Sequence, residues 1–352
     1  MDALRVAKAA GVATPSDPSP ETAESQSPTV PGLELTGEVT TLAGSTRGFL
    51  KGQGSGAKFA FPQGAHVNYF GVLFVADTEN NRIRRILPDG VVTTPAGTQM
   101  GFKEGSYEVA QFATPLAVET LWNGTTYVSD GGNHRIRMVS WKGEVSTLAG
   151  STPGYADGAG DLAKFAWPHG LALAPDGTLY VADSGNHRIR VISKEGTVST
   201  LAGSEQGRAD GQAGSARFSW PQGLALGSDG TLYVADSGNH CIRKVSREGT
   251  VSTWAGSHQG AADGTGASAQ FHSPAGLALH RDGTLYVADA GNHRIRKISR
   301  DGVVSTVAGS VRGFADGQGA AAQFSSPCGV ALGSNGPLYV TDKDNHRIRV
   351  IR

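Results

Sequence analysis

Apolar and polar residues alternate along most of the chain in short runs, each closed by a break rich in Gly, Asp or Asn. In one representative stretch the runs are Val145-Ser-Thr-Leu-Ala-Gly150, Pro168-His-Gly-Leu-Ala-Leu173, Thr178-Leu-Tyr-Val-Ala-Asp183 and Arg188-Ile-Arg-Val-Ile192. Alternation with a period of two between turn residues predicts β-strands and not helices. The breaks Pro-Asp-Gly, Ser-Gly-Asn and Lys-Glu-Gly are short enough to join neighbours as hairpins, so the unit is expected to be an antiparallel four-stranded sheet. One connection is longer: the glycine-rich segment from Ser151 to Lys164.

The whole pattern repeats. The glycine that closes the first run recurs at Gly44, Gly97, Gly150, Gly203, Gly256 and Gly309, always 53 residues apart, and the register holds from Leu35 to Arg352. A period of this length built of short strands predicts radial repetition, here an all-β, six-bladed β-propeller of four-stranded antiparallel blades. The array starts with the strand at Val39 and ends with the one at Arg347–Ile351. If Pro-x-Gly opens the innermost strand of each blade, the N-terminal strand has no blade of its own. It is then expected to join the last blade beside the C-terminal strand, closing the ring and hiding two edges. Residues 35–352 form the propeller in this reading. Residues 1–34 precede it, and Pro15 to Pro31 are so rich in Pro, Ser and Glu that they are expected to be a disordered linker.

The segment Leu-Tyr-Val-Ala-Asp-Ser-Gly-Asn-His-Arg-Ile-Arg, preceded by Pro-x-Gly-Leu-Ala-Leu, resembles the NHL repeat family, and the resemblance recurs in phase through all six periods. It implies a β-propeller used mainly as a non-catalytic binding platform, most often for protein or peptide. RNA-binding members of the family, and a related peptide-amidating lyase, keep two alternatives open: RNA binding, and a metal-dependent lyase or lactone hydrolase.

Composition narrows these options. Lys+Arg and Asp+Glu both number 31, so a strong non-specific pull on nucleic acid or anionic membrane is not expected. The two cysteines, Cys241 and Cys328, occupy non-equivalent repeat positions and do not form a disulfide framework. No run approaches the length of a membrane span, and the first residues lack the apolar core of a secretory leader. A cytoplasmic monomer without cofactor is therefore expected, although a divalent metal stays open under the enzyme alternative.

Positions that obey the symmetry are expected to be structural. These include Asp77, Asp130, Asp183, Asp236, Asp289 and Asp342, each placed to take backbone N–H bonds and to pair with the Arg that begins the next strand. The recurring histidines (His134, His187, His240, His293 and His346) and the Arg-Ile-Arg pairs are read the same way. Departures from symmetry are where function is expected. The residues flanking the proline at the mouth of the inner strand give Phe61 and Gln63, Trp167 and His169, Trp220 and Gln222 along one arc of the ring. Aromatic faces beside amide and imidazole groups suit a peptide, sugar or base, and they suit filling of space between blades equally well. Deeper along the inner strand, where four repeats hold Ala, the first holds His66 and the second Glu119. Two readings are open: a pair that interacts or helps hold a cation and, as the plainer one, local misalignment of these two degenerate repeats.

Overall fold

A computed structural model describes residues 35–333 and 336–352. The expected N-terminal linker, residues 1–34, lies outside them. Six antiparallel sheets form the six blades, and in the third the strands are Pro168–Leu173, Leu179–Asp183, Arg188–Ile192 and Thr197–Ala202 from inside to outside. The second and third strands of every blade are joined by a short 3-10 turn, Ser184–Asn186 in this case.

Five of the blades carry one strand more than expected. In the third, Gly158–Ala159 from the long loop pairs with the outer strand, Gly158 opposite Val198. The second blade keeps four strands, with a single bridge between Gly105 and Val145 in that place. The ring closes as the phase requires. Glu38–Gly44 runs beside Arg347–Ile351, Val39 opposite Ile351 and Gly44 opposite Arg347, and so becomes the outer strand of the sixth blade.

The core lies between blades and follows from the alternation. In Leu179-Tyr-Val-Ala-Asp183, Leu179 and Val181 face the second blade while Tyr180 and Ala182 face the fourth. Each interface therefore sets large branched side chains against small ones, around one fully buried phenylalanine: Phe59, Phe112, Phe165, Phe218, Phe271 or Phe324. Near the axis the inner strands come so close that only glycine fits. A Cβ on Gly170 would stand 2.0 Å from the carbonyl oxygen of Gln222 in the next blade. Among the described residues no helix is long and apolar enough to cross a membrane.

Candidate functional site

The repeat aspartates build a buried hub in each blade. Asp183 Oδ2 accepts from Arg190 Nη1 at 2.7 Å and from Asn186 Nδ2 at 2.8 Å, and Oδ1 accepts the Ala166 N–H at 2.8 Å. Both Asp183 and Arg190 are fully buried. The partner is thus the second arginine of Arg-Ile-Arg, not the one that begins the strand. Arg188, the first, donates to the Asn186 carbonyl and lies 4.0 Å from the centre of the Tyr155 ring. Asp77 with Arg84, Asp130 with Arg137, Asp236 with Arg243, Asp289 with Arg296 and Asp342 with Arg349 repeat the arrangement. Burial pushes the Asp183 carboxyl above its ordinary value, against the pull of Asn186, the Ala166 N–H and Arg190. The loop carboxylate Asp157 adds a second contact to Arg190 at 2.5 Å and takes the Thr200 hydroxyl.

The histidines stitch blade to blade. His134 Nδ1 accepts the backbone N–H of Trp167 at 3.2 Å, and His187 does the same for Trp220. His240, His293 and His346 serve Ser273, Ser326 and Phe61, while in the first blade the Asn81 side-chain oxygen serves Thr114. Burial lowers the pKa of all five imidazoles, as suits a ring that must stay neutral to accept at Nδ1. The recipients all stand at positive φ, between 48° and 53°. This left-handed conformation is costly for a bulky side chain and holds it in one direction.

That direction defines the channel-mouth face. Trp167 and Trp220 are 44% and 46% exposed, each in T-shaped contact with the histidine that holds it, at 5.8 and 5.6 Å between ring centres. Phe61 packs more tightly, 4.7 Å from His346, and is half-buried. The indoles thus brace the neighbouring blade and still leave close to half of their surface open to solvent. Gln63, His169 and Gln222 follow one residue after each proline, at the second position of the inner strand. His169 lines the upper channel with Leu116, Ala275 and Cys328. Burial, with a smaller contribution from the Lys343 charge, lowers the His169 pKa to about 4. It is neutral at physiological pH. Cys328 and Cys241 are buried free thiols, their pKa values pushed up by burial to about 11 and about 12.

Below the mouth, His66 Nδ1 and Glu119 Oε2 lie 2.8 Å apart. Glu119 lines both the upper channel and a lower cavity of about 260 Å³, so the pair sits where the two meet. Burial alone would lower the His66 pKa, but the charge and hydrogen bond of Glu119 outweigh it and raise it above 6.5. Among the described residues no group of three or more His, Cys, Asp or Glu is placed to hold a metal ion. His66 and Glu119 supply two donors.

The hairpin turns of the first two blades, which carry none of the residues expected at the site, lie on the opposite face. Tyr69, Phe70, Trp122 and Trp141 stand there in solvent. The available signal was an aromatic residue, Trp122 or Trp141, at turn positions where the third to fifth blades hold Pro, Ser, Arg or Lys.

The NHL repeat family matches residues 165–192, 218–245, 271–298 and 324–351, the third to sixth blades. NHL repeat-containing protein 2 of Bos taurus is 31% identical over 79% of this chain and 44% of its own length. The chain spans less than half the length of this and other curated relatives it matches. A solved auxiliary nutrient binding protein from Bacteroides thetaiotaomicron superposes with a TM-score of 0.70 at 16% identity, over 89% of this chain and 76% of that one. A virginiamycin B lyase from Staphylococcus aureus gives 0.56 at 14% identity, over 89% of this chain and 99% of that one. At these identities the two structures share the fold alone. Family pattern, relatives and six-sheet architecture agree: the chain is an NHL-repeat β-propeller, faithful to the family pattern in its last four blades and divergent in its first two.

Proposed function

We propose that the propeller is a non-catalytic binding platform whose channel-mouth face takes a protein or peptide. The observation that carries this reading is the pair of neighbouring indoles, Trp167 and Trp220, close to half exposed on backbones locked by His134 and His187. Rigid aromatic faces lose little freedom on binding, and they are typical anchors of recognition surfaces. Neutral His169 and the amides of Gln63 and Gln222 add hydrogen-bonding capacity beside them.

The RNA alternative draws less support. It needs arginines free for phosphates, and Arg84, Arg137, Arg190, Arg243, Arg296 and Arg349 are all fully buried on aspartates. The lyase or lactone hydrolase alternative rests on the channel pair His66 and Glu119. Elemental analysis with native mass spectrometry tests it: a stoichiometric divalent metal, lost on chelation, would favour that reading.

The direct test is to select peptides from a display library on the immobilised propeller and measure their affinity for variants. Trp167→Ala and Trp220→Ala are each expected to weaken binding at least tenfold, since a hot-spot aromatic is worth about 2 kcal/mol. Undiminished binding by the double variant would remove the proposal.

A further inference from the structure

On the face opposite the channel mouth the first two blades enclose a groove of about 500 Å³, within the usual range of ligand pockets. Its walls come from three hairpin turns and the adjoining strands. Trp122 and Trp141 are 77% and 71% exposed, and Phe70 and Tyr107 stand with them in the lining. Repeat symmetry explains none of these side chains. Where Trp122 stands, the third to fifth blades have Pro175, Ser228 and Arg281, and where Trp141 stands they have Lys194, Arg247 and Arg300. Exposed aromatics grouped in this way mark an interaction site.

Three further features narrow the occupant. Arg85 and Lys142 line the groove, and none of its lining residues is an Asp or Glu. Thr94, also in the lining, has a buried hydroxyl without a hydrogen-bond partner. Its counterparts Thr41, Thr200, Thr253 and Thr306 bond Asp316, Asp157, Asp210 and Asp263; the first blade has Lys51 and the second Glu104 at that register, and the Thr147 hydroxyl of the second blade is likewise without a partner. Finally, Pro95 falls in the lining strand, where it removes a backbone donor and spoils the edge for pairing with an added strand. Recognition must then run through side chains.

We propose that this groove is a second binding site, separate from the channel mouth, for an extended proline-rich peptide carrying acidic residues. A polyproline II segment needs no sheet partner and lays its rings on aromatic walls. Its bare carbonyls accept from indole N–H groups, and its carboxylates meet Arg85 and Lys142. A second copy of this chain docked through the same face would set those cations against themselves with no acid in the lining to answer them. A neutral sugar would leave them unanswered as well.

A fluorescein-labelled peptide of four Pro-Pro-Glu triplets, titrated with the full chain in low and high salt, tests this directly. Saturable binding is expected, weakened at least tenfold by Trp122→Ala and by Trp141→Ala, both exposed positions whose loss leaves the core intact. Trp167→Ala, on the other face, is expected to bind like the parent, which separates this site from the channel mouth. The double change Arg85→Gln and Lys142→Gln is expected to flatten the salt dependence. Absence of saturable binding, full binding by Trp141→Ala, or equal binding of a peptide with serine in place of proline would each overturn the proposal. So would light scattering that shows a dimer abolished by Trp141→Ala, since that assigns the face to self-association.

Discussion

At the scale of single residues, the fold rests on six buried charge pairs. Arg190 has no outlet to solvent, so removing Asp183 leaves it only the half-exposed Asp157 carboxylate, an effect at the lower end of the roughly 3–5 kcal/mol for breaking a buried pair. Asp183→Ala is therefore expected to cost about that much in chemical denaturation, far more than loss of the exposed ion pair between Lys194 and Glu195. The recurrence of Asp and of two arginines is plain in the sequence, but which arginine pairs is not. Arg188 and Arg190 lie on the same side of their strand, and the choice between them is made by Tyr155 and by the loop that covers Arg190. The channel pair behaves differently. His66 has a raised pKa in the fold, so its stabilising contribution is complete below 6.5 and lost as pH rises through the raised value. The stability advantage of the parent over His66→Gln is expected to be larger at pH 5.5 than at pH 9. A pH-independent difference in urea melts would show that the pair carries no linkage.

At the scale of elements, strand alternation was legible because each blade buries both faces. Leu179 and Val181 alternate with Tyr180 and Ala182 because they pack on different neighbours, and the strands Pro168–Leu173 and Arg188–Ile192 fall where the pattern puts them. The short fifth strands were not legible. Gly158–Ala159 and Gly211–Gln212 carry no apolar period, and they pair only because the loop is drawn back over the outer strand. The channel-mouth arc was visible as a break in repeat symmetry. What the sequence could not supply was its geometry, since the left-handed backbone at Trp167 and Trp220 is imposed by histidines of the preceding blade, 33 residues back.

At the scale of the whole molecule, stability depends on closure, because every interface needs two blades and the last needs the first. A chain lacking residues 1–44 would bare the Arg347–Ile351 strand and leave Gly317–Gln318 without a partner. Unpaired edges of this kind template association. The expected outcome is a melting temperature lower by on the order of 10 °C and concentration-dependent aggregation, read by calorimetry and light scattering. A truncated chain that stays monomeric with an unchanged melting temperature would show that the ring does not need its clasp.

The same clasp fixes where the polypeptide comes and goes. The Gly37 N–H donates to the carbonyl of Arg352 at 2.9 Å, and Arg352 in turn donates to Glu38. Incoming and outgoing chain thus share one point on the rim. A ring wired in this way hangs from a single attachment, like a charm on a bracelet. It can be spliced into a longer polypeptide without pushing the flanking segments apart.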